Sequence, residues 1–532
     1  MDDRWALTEF QDQTTIHPLG LAAVLVLGLL TIMLPRRWAP VPMLLMAAGV
    51  ASAQRIVIAG LDFSLIRIMA CCALARILLR GELKGHQWSK TDLWFVLWVC
   101  FNALVYSIQW GQAWAVTNRL GFAFEALAIY AAVRVLIRDW KAMESISVAA
   151  SIAACLSAPA FIYEHATRHN LFSIFGGVPE TTMIREGRLR CQGPFSHPIL
   201  AGCFWAALLP VMWIQARLGV LNKALALTAT GATLFIIFAC ASSTPVLGVL
   251  AAFLAFAMYP LRRRLYEVRW VVVLTLVGLH IVMQAPVWHL IARVSAVGGS
   301  TGYHRYRLID AAINRFSEWA LLGTRSTAHW GHWLFDVTNQ YILQAVQGGF
   351  ITLVAFVVNI WLVFKGLGKG MKLLRSGAPS DRKRVPQLWL MGCSVFVHCV
   401  CFIGVSYFGQ MNMLWSFTMA MGAAAGAVAL AHAKAARAKM AQQANQQEGQ
   451  QPGQQPGQQP GQATSPNSPS GPGLRGAGRP DARPTPKPAR PSGSASPLDA
   501  FGFGASLRSA NAPSGAAKRP PLPPLPEGPA HA

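Results

Sequence analysis

Charge is scarce in this sequence. Only 13% of its 532 residues are Asp, Glu, Lys or Arg, about half the share of an ordinary soluble domain. Acidic residues are scarcer still: 22 Asp and Glu stand against 46 Lys and Arg, a formal net charge of +24. So few charges cannot clothe the surfaces of several soluble domains, which a chain of this length would otherwise form. There is no Cys-x-x-Cys and no Cys/His set at zinc spacing, so neither a metal nor a cofactor is expected. Nine of the ten cysteines lie in apolar runs, where cysteine acts as a small hydrophobe. Cys191 lies in a polar segment with no obvious disulfide partner. A signal peptide is not expected, because Asp2, Asp3, Glu9 and Asp12 outnumber Arg4 where a positive stretch would be needed. No RNA- or DNA-binding motif is present, and nucleic acid is not expected as a partner.

What is abundant is apolar. Hydrophobic residues make up 53% of the chain. They come in runs of about 17–24, the length a helix needs to cross a bilayer core of roughly 30 Å. The expected fold is an all-α, polytopic transmembrane bundle of about 12–13 spans. They begin near residues 17, 38, 56, 92, 120, 144, 197, 223, 244, 270, 341, 388 and 412. The short loops 35–37, 80–91, 138–143, 217–223, 261–269 and 365–387 are basic and alternate to one side. The positive-inside rule makes that side cytoplasmic. Two long polar loops, about 164–196 and 289–340, then fall outside. Arg76 and Arg80 are expected to snorkel at the inner interface. Residues 1–432 form the membrane domain. Residues 433–532, rich in Gln, Pro, Gly and Arg, are expected to be a disordered cytoplasmic tail. Its Arg519-Pro-Pro-Leu-Pro-Pro-Leu-Pro526 stretch favours polyproline II and could dock a partner; a solvated tail near anionic lipid is the plainer reading.

The outer loops carry arginine and no lysine. Arg168, Arg185, Arg188 and Arg190 are in one; Arg293, Arg305, Arg307, Arg315 and Arg325 are in the other. A guanidinium offers a planar fork of donors that fits two oxygens of a phosphate or carboxylate. Such a set at a bilayer surface suggests a diphosphate or acidic glycan. Apolar positions Leu308, Ala311, Ala312, Ile313 and Phe316 recur at near-helical spacing and predict an amphipathic helix within the larger loop. Trp330, Trp333 and Phe335 suit an interface. Asp336 and Asn339, just before a span, suit helix capping as well as catalysis. His197, before Pro198, could cap a helix or serve the site. Asp62 and Glu125 are intramembrane carboxylates that could pair with Arg67.

Several segments resemble the bacterial O-antigen ligase/polymerase superfamily. Arg190-Cys-Gln-Gly-Pro-Phe-Ser-His-Pro198, opening a span with Leu200, Ala201 and Gly202, is similar to one recurring segment. Leu321-Leu322-Gly323 resembles the family's Gly turn in its large periplasmic loop. Asn339, nine residues and Gly349 resemble its His-Asn-x9-Gly-x-x-Gly element. The likeness covers roughly residues 56–432. It implies a multi-pass protein of the bacterial inner membrane, with its C-terminus cytoplasmic. It implies transfer or polymerisation of a glycan from undecaprenyl diphosphate to an acceptor glycan or lipid on the periplasmic face, without nucleotide sugars or metal. Arg190, with Arg188, and Arg305 or Arg307 would hold the diphosphate. The sequence departs from the family at its base: Thr338 stands where the family has His, and Thr352 where it has the final Gly. Ser242-Ser243-Thr244 stands where Ser-Arg-Gly is frequent. His332 or Asp336, with Asn339 beside them, is then the candidate base; otherwise the reaction relies on leaving-group departure. A polysaccharide transporter or flippase, and a non-catalytic partner in exopolysaccharide assembly, are the alternatives.

Overall fold

Helices make up most of the computed structural model, which describes residues 13–58, 60–293 and 301–448. In chain order they are α1 (Pro18–Met33), α2 (Val41–Gly49), α3 (Leu65–Leu79), α4 (Lys90–Trp110), α5 (Ala113–Leu136), α6 (Trp140–Thr167) and α7 (Pro198–Met212). Then follow α8 (Val220–Ala239), α9 (Ser243–Ala257), α10 (Leu265–Val282), α11 (Thr301–Asn314), α12 (Gln340–Arg375), α13 (Val385–Cys401) and α14 (Gln410–Glu448). Among the described residues the strands form two antiparallel hairpins, β1–β2 (Arg55–Ile58, Leu61–Ser64) and β3–β4 (Met183–Arg185, Arg188–Arg190).

Among the described residues, eight helices are long and apolar enough to cross a membrane: α4, α6, α7, α8, α10, α12, α13 and α14. A bilayer core offers backbone groups no water, so helices that satisfy their own hydrogen bonds are the structures that cross it. The chain is a multi-pass helical membrane protein. The count of 12–13 full spans is not met, for a local reason in each remaining segment. Helices α1, α3 and α9 have 16, 15 and 15 residues. The expected third span, 56–79, is half hairpin: β1 and β2 take its first part, and Ser64 caps α3 by accepting from the Arg67 N–H. Helix α5 has 24 residues but carries Arg119, Glu125 and Arg134.

Helix α2 shows how a short segment still returns along the bundle. At one end, Gln54 accepts from His17 N–H through its side chain (2.7 Å) and from Leu65 N–H through its carbonyl (3.3 Å). At the other, Arg76 Nη1 donates to the carbonyls of Thr31, Ile32 and Leu34 at 2.9, 3.1 and 2.6 Å. Helices α1 and α3 therefore run parallel. The segment 35–53 must travel back between their ends with nine residues in α2 and the rest in tighter or extended backbone. Arg76 does not snorkel, contrary to expectation. It is 1% exposed, caps the end of α1, and closes on Glu82 at 2.9 Å. The last carbonyls of a helix have no partner of their own, and Arg76 supplies one.

The same end of the bundle holds a second buried pair. Arg134 Nε meets Asp92 Oδ1 at 2.9 Å. Asp92 also accepts from Tyr130 Oη (2.8 Å) and closes a capping box with Ser89 at the start of α4. Helix α14 runs through residue 448, so residues 433–448 of the expected disordered tail are helical. The Gln-Pro-Gly repeats and the proline-rich stretch lie outside the described residues, as do the acidic residues near the N-terminus.

Candidate functional site

The segment 190–198 is a buried turn rather than an open loop. Glu164, at the end of α6 and 1% exposed, accepts from the N–H groups of Gln192 (3.0 Å) and Gly193 (2.9 Å) and from Thr182 Oγ1 (3.2 Å). Cys191 N–H donates to Ala239 carbonyl at 2.9 Å. Asn170 Nδ2 reaches the Gly193 carbonyl and Gln410 Nε2 the Pro194 carbonyl, at 2.9 and 2.8 Å. Gly193 has φ +54, and a Cβ there would press on the Phe161 ring. The peptide groups of the turn are thus tied to α6, α8, α14 and Asn170, which fixes what the turn carries. Glu164 had no signal in the sequence; it lies 28 residues before Gln192 and is adjacent only after folding. Cys191 is buried and free, and burial pushes its thiol up to about 12.

The turn presents arginines. In the hairpin register Arg185 faces Arg188, and Met183 faces Arg190, so the three arginines share one face. Their two-residue connection, Glu186-Gly187, has positive φ at both positions, the geometry that suits a tight hairpin. Arg188 and Arg185 are exposed at the tip, and Arg185 has Glu186 at 3.8 Å. Arg190 is 5% exposed, and its Nε has no hydrogen-bond partner among the described residues. Burial, and then neighbouring Arg185, lower its pKa. His197 caps α7 by accepting from Ile199 N–H through Nδ1. Burial first, then Arg190 and Arg185, hold its imidazole at about 4, so it is neutral near pH 7.

Arg305, on α11, lies within electrostatic reach of Arg185. It is 6% exposed, donates from Nη2 to Thr244 Oγ1 at 3.0 Å and from Nε to the Gly404 carbonyl at 3.2 Å. Burial lowers its pKa, with Arg185 adding to the effect. No carboxylate is paired with Arg190 or Arg305 among the described residues. Arg190, Arg305 and the neutral imidazole of His197 are each within electrostatic reach of Arg185, and Glu186 is the carboxylate that acts on Arg190. Thr244, in the Ser-Ser-Thr stretch, holds Arg305 in place. Comparisons with family models, with curated proteins and with solved structures find no match for this chain.

The other sequence candidates part company with this cluster. Arg307 lies two residues on, on another side of α11, under the Gly331 turn, where a Cβ would come 2.5 Å from its guanidinium. His332 is exposed, with its ring edge-on to Trp333 at 5.4 Å. Asp336 is exposed too, and its carbonyl faces His304 Nε2 at 3.2 Å. Asn339 is buried as the cap of α12: its Oδ1 accepts from Ile342 N–H and its Nδ2 donates to the Ile403 carbonyl. None of the contacts of His332, Asp336 or Asn339 is with Arg190 or Arg305. Trp330 is a core residue, whereas Trp333 is exposed.

The large loop is folded. As expected from its spacing, α11 is amphipathic; Leu308 and Ala312 pack with Trp319, Trp330, Leu334, Ile342 and Val346 in a small core of their own. This core sits on the first turns of α12, which breaks at Gly349 (φ 68, ψ −176). That backbone region is open essentially only to glycine. The break admits the segment 320–324: Phe350 N–H donates to the Ala320 carbonyl (2.8 Å), and Thr324 N–H to the Val346 carbonyl (2.9 Å). Gln109 Nε2 bridges the Leu322 and Val346 carbonyls at 3.0 and 3.1 Å. A Cβ at Gly323 or Gly349 would lie 2.2 or 2.3 Å from a carbonyl oxygen of the other strand of the joint. The two glycine motifs singled out in the sequence are thus two halves of one backbone joint.

A cavity of about 500 Å3 lies on the other side of the 402–410 connection from Arg305. Helices α2, α3, α4, α5, α12 and α14 all contribute to its wall. Arg55 pairs there with Asp62 at 3.0 Å and Arg67 with Glu125 at 3.2 Å. Asp62 and Glu125 were both candidates for Arg67 or for an arginine of another span. Glu125 takes Arg67, and the hairpin gives Asp62 to Arg55. Arg119, in α5 and also in the wall, was not singled out in the sequence, where it falls just before the apolar run expected to begin near residue 120.

Proposed function

We propose that this chain is a membrane glycosyl transferase of the O-antigen ligase/polymerase kind, taking a glycan from a polyprenyl diphosphate. One observation carries this reading: Arg190 and Arg305, from segments 115 residues apart, and His197 all lie within electrostatic reach of Arg185, and neither Arg190 nor Arg305 is ion-paired with a carboxylate among the described residues. A diphosphate leaving group gains negative charge as the glycosyl bond breaks. Buried donors already aimed at that charge stabilise the transition state without reorganising. The positive-inside rule would put the Arg76 and Asp92 end in the cytoplasm and the arginine cluster outside, in a bacterial inner membrane. The acceptor hydroxyl needs to lose a proton. His197, neutral near pH 7 and beside the cluster, is better placed for this than exposed His332 or Asp336. This assigns the base role to a residue that the sequence offered chiefly as a cap.

The test is surface or exopolysaccharide length in cells lacking the gene, complemented with wild type, Arg190→Ala or Arg305→Ala. Each variant is expected to lower transfer about 10²–10³-fold at unchanged protein level. Wild-type polymer from both variants would remove the diphosphate site. A flippase remains the second reading, because α12 is broken and a polar cavity lies inside the bundle, both features of transporters. It predicts donor accumulation on the cytoplasmic leaflet in the deletion strain, where the transferase predicts accumulation outside.

A further inference from the structure

The cavity beside the arginine cluster has unmet hydrogen bonds of both kinds. Arg119 Nε and Trp415 Nε1 are buried donors in its wall, and Asp62 Oδ1 is a buried acceptor. None of the three has a partner among the described residues. The Arg119 and Trp415 residues are 9% and 3% exposed. Leaving a buried polar atom unpaired costs about 1–3 kcal/mol, and these three belong to residues that line one space.

Charge narrows the occupant. The Arg55–Asp62 and Arg67–Glu125 pairs neutralise themselves. Arg119 has no carboxylate among the described residues. Its Nη1 donates to Asn102 Oδ1 at 3.3 Å, and its guanidinium lies on the Tyr106 ring at 3.7 Å and near Phe122 at 5.8 Å. The cavity thus holds one uncompensated positive charge, which matches one negative charge on a ligand; a dianionic phosphate would want a second free cation. The rest of the wall combines amides and aromatic faces. Asn102 and Gln344 stand beside Trp98, whose Nε1 donates to Gln344 Oε1 at 2.7 Å. Hydroxyl groups suit the amides, and the apolar face of a sugar ring suits the aromatics. The volume falls in the usual range for small-molecule sites, about 300–1,000 Å3.

We infer that this cavity binds an acidic sugar, a hydroxylated ring bearing a single carboxylate. Arg119 takes the carboxylate, Trp415 donates to a ring oxygen or hydroxyl, and Asp62 accepts from a hydroxyl. As the acceptor subsite of a glycan transferase it rests on the function proposed above; the binding itself does not.

The experiment is calorimetric titration of the full-length chain in nanodiscs with methyl glucuronoside, methyl glucoside and glucose 6-phosphate. The glucuronoside is expected to bind at least tenfold more tightly than the glucoside. Arg119→Gln should erase that preference, and Trp415→Phe should weaken both glycosides severalfold. The tests are run in the Arg190→Ala background as well, which removes the other proposed anion site, and the preference for the glucuronoside over the glucoside should persist there. Equal binding of the two glycosides, no binding, or a preference that survives Arg119→Gln overturns the assignment; so does tightest binding of glucose 6-phosphate that Arg119→Gln abolishes and Arg190→Ala does not, which would mark the cavity as a phosphate or lipid-headgroup site. If the glucuronoside binds as expected while Arg190→Ala and Arg305→Ala cells make normal glycan, the transfer reading fails and the cavity assignment stands.

Discussion

At the scale of single residues, neighbours decide chemistry more than residue type does. His197 and His332 are the same side chain. One is half-buried beside two arginines and held at about 4; the other is exposed beside a tryptophan. Because folding lowers the His197 pKa below its ordinary value, the unfolded chain takes up that proton first. Stability from this group is therefore full above about pH 6.5 and falls as pH drops toward 4. Replacing Arg190 by Leu removes one of the named causes, so the imidazole pKa should rise. A carbon-13 histidine NMR titration of the wild type and the Arg190→Leu variant reads this, and an unchanged value would leave burial and Arg185 as the causes. Glu318 shows the opposite balance: hydrogen bonds from His329, Trp330 and Arg315 hold its carboxyl at about 2. Sequence reading found Arg190, Arg305 and His197, because arginine without lysine is a compositional signal that survives without coordinates. It could not find Glu164 or Arg119, whose importance lies wholly in what is folded against them.

Among elements, the clearest is the broken helix α12. Its sequence reads as one apolar run, and only the pair Gly348-Gly349 hints at a break. The break is needed because the 320–324 backbone occupies the space a continuous helix would fill. Gly349→Ala forces a Cβ into a region of backbone space that costs about 1–3 kcal/mol, against a carbonyl 2.3 Å away. The variant should lose at least about 2 kcal/mol in thermal unfolding of the detergent-purified chain. Gly366→Ala, in the same helix with nothing within 4 Å, serves as the control and should be neutral or mildly stabilising. Loss of equal size in both would mean that the joint is not special. Element boundaries were legible where caps are local, as at Ser89 with Asp92. They were illegible where an apolar run changes conformation midway, as in 56–79, because β-branched and aromatic residues serve a hairpin and a span alike.

For the molecule as a whole, apolar run length revealed the membrane class at once, and it also overstated the number of complete spans. Hydropathy measures whether a segment tolerates lipid; it does not say whether the segment stays helical. What holds the short pieces in place is buried charge at their ends. Arg134→Leu would strand Asp92, 2% exposed, without its cation. A loss of about 3–5 kcal/mol is expected in the same unfolding assay, with partial recovery in the Asp92→Asn/Arg134→Leu double variant. If the single variant unfolds like wild type, the pair contributes nothing to stability. Arg76 carries a consequence for how the protein is made. The carbonyls of Thr31, Ile32 and Leu34 leave the ribosome more than 40 residues before the side chain that satisfies them. Until then the end of α1 is an incomplete structure that cannot settle in lipid on its own. The first three helices should therefore leave the insertion machinery as one packet, and α1 becomes a committed membrane segment only when α3 arrives.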